Sequence, residues 1–192
     1  MSALPEKPTV FALSGATPLG VLFGPLGALA DANIQEGRAA DYLGALQGRG
    51  YSPPAVLTQD ITAELQKDGF AVTNLSVPRP TPAFLAHYPG AAEGHGDAYL
   101  DVAIVNYGYL AGAITAPYHP LVGLQYRLVR ASDGTTLMQG NFGYSNFGHD
   151  VEPDSAYDFS SFKDIMAGTD RSIAGINTGL SLGATAIGKA LQ

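Results

Sequence analysis

The feature that most constrains the fold is a run of three strand-like stretches between residues 97 and 144. In the first, 98–110, apolar residues fall on both faces, which is typical of a central strand. In the second, 121–130, apolar residues alternate with polar ones, so one face meets water. Asp133-Gly134 precedes the third, 135–144, and this dipeptide favours a hairpin turn. The pattern predicts an antiparallel meander.

Two other stretches have the periodicity of amphipathic helices. Residues 53–69 carry apolar side chains at four-residue steps, and residues 169–191 carry a longer apolar stripe. In the second stretch Gly175, Gly179 and Gly183 form a ridge at the same spacing. Each glycine costs about 1 kcal/mol of helix propensity relative to alanine. The ridge therefore predicts close packing of the helix backbone against its neighbour.

The order of these elements predicts an α/β (α+β) fold in a single domain, 1–192. We expect a mixed, largely antiparallel sheet of about five strands, with two further strands at 9–14 and 70–77, packed by the two amphipathic helices. Residues 51–192 form the α/β core in this prediction. Residues 1–50 contribute a strand, a glycine-rich apolar segment and a helix at its periphery.

The charge balance excludes one large class of partner. The chain has 17 acidic residues against 10 Lys and Arg, for a net charge of −7. Nucleic-acid binding needs a basic surface that displaces phosphate counterions, and no such surface is encoded. Attachment to an anionic membrane surface is disfavoured for the same reason.

The longest uncharged stretch near the start, 8–30, has two interpretations. Ala28-Leu29-Ala30 matches a signal-peptide cleavage site, but Pro18 and Pro25 interrupt the apolar run, which favours a strand and a glycine-rich loop. The apolar part, 15–30, could also line or cover a pocket. That reading supports an alternative function, a binding protein for a small apolar or lipidic ligand.

The motifs of common enzymes are missing. The chain has no cysteine, no nucleophile elbow, no phosphate-binding loop and no dinucleotide fingerprint. We therefore predict a non-enzymatic protein without a cofactor. Asp101 is a candidate functional carboxylate if it is buried, although an ordinary edge carboxylate is the alternative.

One polar cluster and one aromatic set are candidate binding sites. Glu93, His95 and Asp97 alternate on a glycine-rich loop, where they could ligate a divalent metal or remain solvated. Tyrosines of the meander could pack within it, or they could surface a groove for a protein partner. The predicted partner-binding residues are Tyr107, Tyr109, Tyr118 and Tyr126.

Three phrases carry a family resemblance: Gly-Asp-Ala-Tyr-Leu-Asp-Val at 96–102, Asn-Tyr-Gly-Tyr at 106–109 and Tyr-Arg-Leu-Val at 126–129. With the order of elements, they make residues 50–192 resemble small proteobacterial envelope lipoproteins. Those proteins are similar in outline to the curli-secretion lipoprotein, the lipoprotein activators of penicillin-binding proteins, and the N-terminal domain of the Tol–Pal translocation protein.

The resemblance implies a role and a place in the cell. The expected function is a periplasmic interaction module that binds an envelope protein or a second copy of itself. Its expected link to the outer membrane is a lipidated cysteine that precedes this sequence, which itself contains no cysteine. No nucleic acid and no other membrane contact is expected.

Overall fold

The structure, a computed structural model, describes residues 8–12, 25–75, 84–88, 96–113, 115–146 and 150–192. Its elements in chain order are β1 (Thr9–Ala12), α1 (Pro25–Gly48), α2 (Pro53–Lys67), β2 (Ala98–Ala111), β3 (Tyr118–Arg130), β4 (Thr136–Tyr144), a 3₁₀ turn (Ser155–Tyr157), α3 (Phe162–Ala167) and α4 (Thr169–Ala190). The mixed α+β architecture and the long C-terminal helix confirm the predicted fold class. Within the described part of the chain the sheet has four strands, fewer than the five expected.

The strands lie in the order β1-β2-β3-β4. The pairs β2–β3 and β3–β4 are antiparallel, which confirms the meander, and β1 pairs parallel to β2. The predicted turn joins β3 to β4: Gly134 has φ +72°, and Arg130 N donates to Thr135 O at 2.8 Å. As its apolar faces indicated, β2 is a central strand.

A β-bulge in β2 changes which side chains face each side of the sheet. Ile104 pairs with Leu124, but Asn106 pairs with the preceding residue of β3, Gly123, so Val105 is the extra residue. One inserted residue reverses the alternation that follows. Tyr107 and Tyr109 therefore share a face with Ile104.

The pairing of β1 depends on a glycine of β2. Gly108 has φ +134°, a conformation that side chains rarely adopt, and its Cα partner is Thr9. A Cβ on Gly108 would overlap the backbone carbonyl of Thr9. Since a backbone group cannot rotate away, only glycine allows β1 to lie against β2 here.

The glycine ridge of α4 packs on the sheet, as its spacing predicted. A Cβ on Gly179 would lie 2.6 Å from the Tyr144 ring and 2.8 Å from the Val122 side chain. A Cβ on Gly175 would lie 2.6 Å from the Tyr109 hydroxyl, and one on Gly183 would overlap Leu124. The lack of side chains lets the backbone of α4 approach the aromatic rings closely.

The other helices complete the same core. Leu57, Ile61 and Leu65 of α2 are buried, as their spacing predicted, and α2 packs along α4. Tyr42 and Leu46 of α1 belong to the same buried cluster. The described part of residues 1–50 thus contributes apolar side chains to the core, where the sequence had suggested a peripheral position.

The strand predicted at 70–77 is wrong for the residues that the structure describes. Residues 70–75 form no strand, and Phe70 is 47% exposed. An apolar run can form a strand only where a neighbouring strand accepts its hydrogen bonds. Residues 76–77 lie outside the described residues.

Candidate functional site

The two faces of the sheet have different surroundings. We call the face that packs on α4 the inner face and the opposite one the outer face. Asp101 of β2 and Arg127 of β3 are cross-strand partners on the outer face, and the segment 84–88 lies against them. The half-polar alternation of β3 had indicated that Arg127 points away from the core.

Asp101 is a buried carboxylate, with only 2% of its surface exposed. Its Oδ2 accepts a hydrogen bond from Leu85 N at 2.9 Å and another from the Tyr88 hydroxyl at 2.5 Å. Burying a carboxylate is costly unless it accepts hydrogen bonds of this kind. The carboxylate that the sequence singled out therefore holds the segment 84–88 on the sheet.

Arg127 holds the same segment from the neighbouring strand. Its Nη2 donates to Leu85 O at 2.9 Å and to the Tyr88 hydroxyl at 2.7 Å. Its guanidinium also lies 4.6 Å from the centre of the Phe84 ring, a cation–π distance. We name Tyr88, Asp101 and Arg127 the outer clasp.

The electrostatics of the outer clasp keep Tyr88 protonated. Burial, and secondly the hydrogen bond to Asp101, raise the pKa of Tyr88 to about 12. At neutral pH the hydroxyl therefore donates to the carboxylate and accepts from Arg127. The Tyr88 ring also stacks on Tyr99, with centroids 5.5 Å apart. These contacts give the clasp a positioning role.

The structure corrects the predicted tyrosine groove. Tyr107, Tyr109 and Tyr118 are 1%, 0% and 4% exposed, so none of them forms a surface that a partner could touch. The bulge turns the first two to the inner face. Tyr126 alone of the four is half-buried, and its ring lies over Gly140 of β4. Binding to a partner through another surface stays a prediction.

The buried tyrosines form a hydrogen-bonded network with α4. The Tyr42 hydroxyl donates to Ser172 Oγ at 2.8 Å, and the Tyr109 hydroxyl donates to Ser172 O at 3.3 Å. Burial raises the pKa of Tyr42 and of Tyr109 well above the ordinary value. These hydroxyls remain protonated, and they fix α1 and β2 to the start of α4.

The metal prediction is not tested by the described residues. Glu93 and His95 lie outside them. Asp97 is exposed, and its backbone carbonyl accepts from Ala131 N at 2.9 Å. Within the ranges that the structure describes, no three potential ligands come together.

A histidine–aspartate pair that the sequence did not reveal lies at the start of β3. His119 Nδ1 is 2.7 Å from Asp158 Oδ1, and both side chains are about one-fifth exposed, at 18% and 21%. Next to it, the backbones of Tyr118 and Phe159 exchange two hydrogen bonds. These contacts tie the segment before α3 to the sheet. No local pattern could have joined residues that lie 39 positions apart.

The strand β4 forms one edge of the sheet. Gly143 bonds on the side away from β3: its carbonyl accepts from Asp150 N and Val151 N, and its N–H donates to Asp150 Oδ2. In an antiparallel strand, alternate residues direct both backbone groups to the same side. Asn141 and Gln139 therefore direct their N–H and C=O groups outward as well.

The exposed part of this edge is short and uncharged. Among the described residues, no strand pairs with β4 on the side away from β3. Gln139 and Asn141 are exposed, and residues 134–149 contain no Asp, Glu, Lys or Arg. A break in register at Leu137 limits the regular edge at one end, and the bonds of Gly143 limit it at the other. We name residues 138–142 the free edge.

The alternative of an apolar ligand depends on a segment that is mostly outside the described residues. Residues 15–24 are not described, and 25–30 begin α1. A shallow, open depression does lie between the α1–α2 turn and the start of α4, lined by Arg49, Tyr51, Val56, Asp170 and Ile173. Arg49 and Asp170 form an ion pair across it, which does not suit an apolar occupant.

The described residues include no helix whose length and hydropathy would let it cross a membrane. The described sites are thus the outer clasp, the His119–Asp158 pair and the free edge of β4. Comparison of the chain with protein-family models, with curated proteins and with solved structures found no match.

Proposed function

We propose that this protein is a non-enzymatic protein-interaction module of the bacterial periplasm, which binds its partner by adding a strand to the free edge of β4. The observation that carries the proposal is the outward direction of the backbone groups of Gln139 and Asn141 on an uncharged edge. Strand addition uses such groups for affinity and the neighbouring side chains for specificity.

The two edges of the sheet support this choice. The edge strand β1 has four residues and directly follows Pro8, two features that limit edge-to-edge pairing. The edge strand β4 has nine residues with no proline and no charge. Among the residues that the structure describes, none pairs along residues 138–142 of β4 on the side away from β3, and a bare edge of this kind is consistent with one that a partner covers.

The envelope location rests on the resemblance to proteobacterial lipoproteins. The phrases at 96–102, 106–109 and 126–129 all fall on β2, β3 or the approach to β2. The proposal places the folded part in the periplasm, linked to the outer membrane by a lipidated cysteine. The negative charge agrees with a protein partner and disfavours nucleic acid.

The strand-addition proposal is tested by photo-cross-linking in the native host. A photoreactive amino acid replaces Asn141 on the free edge or, as the matched control, Gln66, an exposed residue of α2. We expect a discrete covalent adduct from position 141 and none from position 66. An absence of adduct at 141, or the same adduct from both positions, would contradict the proposal.

The location is tested separately by fractionation of the native protein. We expect it with the outer membrane, with an intact mass that includes an acylated N-terminal cysteine. Recovery of an unmodified chain from the cytoplasm would overturn the envelope assignment. The cross-linking result would still decide the role of the edge.

A further inference from the structure

We infer that the occupant of the free edge is the free edge of a second copy of this chain, paired antiparallel about a twofold axis at Gly140. This inference rests on the proposed function and names its partner. It joins two four-stranded sheets into one continuous sheet of eight strands.

The hydrogen-bonding groups of the free edge are symmetric about Gly140. Gln139 and Asn141, one on each side of it, direct their N–H and C=O groups outward. In the antiparallel pair, Gln139 of one copy lies opposite Asn141 of the other, and the two residues exchange both hydrogen bonds. The same exchange occurs again across the axis, so the outward groups of both copies are satisfied.

The limits of the free edge are also symmetric. The register break at Leu137 and the bonds of Gly143 to Asp150 and Val151 each lie three residues from Gly140. A longer added strand would meet the segment that bonds to Gly143. A strand that bends away after the same short distance, as β4 itself does at Leu137, fits the available length.

The side chains of the edge are compatible with themselves. Pairing about Gly140 sets the amides of Gln139 and Asn141 opposite one another on the outer face, where they can exchange hydrogen bonds. On the inner face it sets Met138 opposite Phe142, whose ring is already buried against α4, so this pair places no polar or charged group in the joint. The lack of charge matters because two chains of net charge −7 repel each other, and this edge adds no like-charge contact.

One exposed apolar side chain adjoins the free edge in sequence, and another lies on α4. Leu137 is 45% exposed at the start of β4, and Leu182 of α4 is 38% exposed. Leu182 follows Thr178 by one helical turn, and the Thr178 hydroxyl bonds to Tyr157 in the turn after β4, whereas Ser181 and Thr185 bond to α2. Leu182 is thus on the flank of α4 away from α2. A second copy paired along the free edge would lie against Leu137, which directly precedes it.

The test is a charge exchange at the edge of the full chain. In one variant Q139K and N141K are combined, and in the other Q139E and N141E, so that each homodimer would set like charges directly opposite. We expect wild type to sediment as a dimer, at twice the mass of one chain, and each variant to sediment as a monomer. An equimolar mixture of the two variants should return to twice the chain mass. The control, Q47K with Q66K on exposed helix positions, should remain dimeric.

Two results would overturn the inference, and they differ from failure of the proposed function. Dimers that persist in both charge variants would use another surface. A wild-type chain that sediments as a monomer at every concentration would exclude the second copy, while an adduct with a different protein from position 141 would leave strand addition in place. Circular dichroism of each variant checks that the fold is retained.

Discussion

Both long helices, α1 and α4, contain glycine, but the glycines have opposite surroundings. A Cβ placed on Gly37 or Gly44 of α1 would meet no atom within 4 Å, whereas one on Gly175 or Gly179 of α4 would come within 3 Å of the tyrosines on the sheet. In both helices glycine costs about 1 kcal/mol of helix propensity. Only in α4 does close packing offset that cost.

The difference shows when the spacing of glycines along a helix indicates close packing. In α4 the glycines recur every four residues on the stripe that carries Ile176 and Leu180, so the whole ridge meets one surface. In α1 Gly37 and Gly44 are exposed and seven positions apart. A regular glycine ridge next to an apolar stripe indicates close helix packing, and exposed glycines away from such a stripe do not.

Of the three predictions, high pH is expected to lower the free energy of unfolding the most. The reason is that the core between the sheet and the helices contains several buried tyrosines. Burial raises the pKa of Tyr107 from 10.0 to about 12, and it raises those of Tyr42 and Tyr109 too. Each folded-state pKa lies above the unfolded value. The stability that these groups contribute is therefore present below pH 10 and is lost as the pH rises through about 12.

This prediction is checked by circular dichroism and tyrosinate absorbance across the same pH range. We expect the ionisation of the buried tyrosines to coincide with cooperative unfolding. The variant Tyr107→Phe, which keeps the ring but cannot ionise, should unfold at higher pH. Ionisation of every tyrosine near its ordinary pKa, without loss of structure, would contradict the burial of these tyrosines in the core.

Gly179→Ala is expected to have the next largest effect. The new methyl group would lie against ring atoms of Tyr144 near its backbone, which cannot move without the strand. Overpacking costs about 1–3 kcal/mol and the gain in helix propensity returns about 1 kcal/mol, so stability should fall by up to about 2 kcal/mol. Urea denaturation measures it, and unchanged or increased stability would show that α4 does not pack this closely.

Gly44→Ala is expected to change the free energy of unfolding the least, and to increase it. The exposed site has room for a methyl group, so the variant gains helix propensity alone. Its free energy of unfolding should rise by about 0.5–1 kcal/mol in the same urea experiment. A loss of stability at this position would mean that α1 packs against a surface that its glycines must fit.

Local pattern was enough to predict the elements that depend on near neighbours. Alternation and Asp133-Gly134 predicted the meander, and the step of four predicted both α2 and α4. The same reasoning failed at residues 70–75, since a strand also needs a partner strand. It failed for Tyr107 and Tyr109, because the bulge at Val105 reverses the alternation and nothing in the surrounding residues marks it.

The candidate sites depended more strongly on distant contacts. Asp101 stood out in the sequence as a possible buried carboxylate, and it is buried, but its partners in the segment 84–88 are set by chain packing. His119 and Asp158 could not have been paired in advance. The direction of the Asn141 backbone follows from how Gly143 bonds to residues beyond the end of β4.

The sequence by itself determined the helices and strands that periodicity encodes and the close packing of α4, because side-chain spacing is a property of the chain alone. Only the tertiary structure decided which tyrosines are buried, how the outer clasp is assembled and which backbone groups of β4 remain directed outward. Those features require residues far apart in sequence to meet, and their geometry is set by packing and hydrogen bonds between elements.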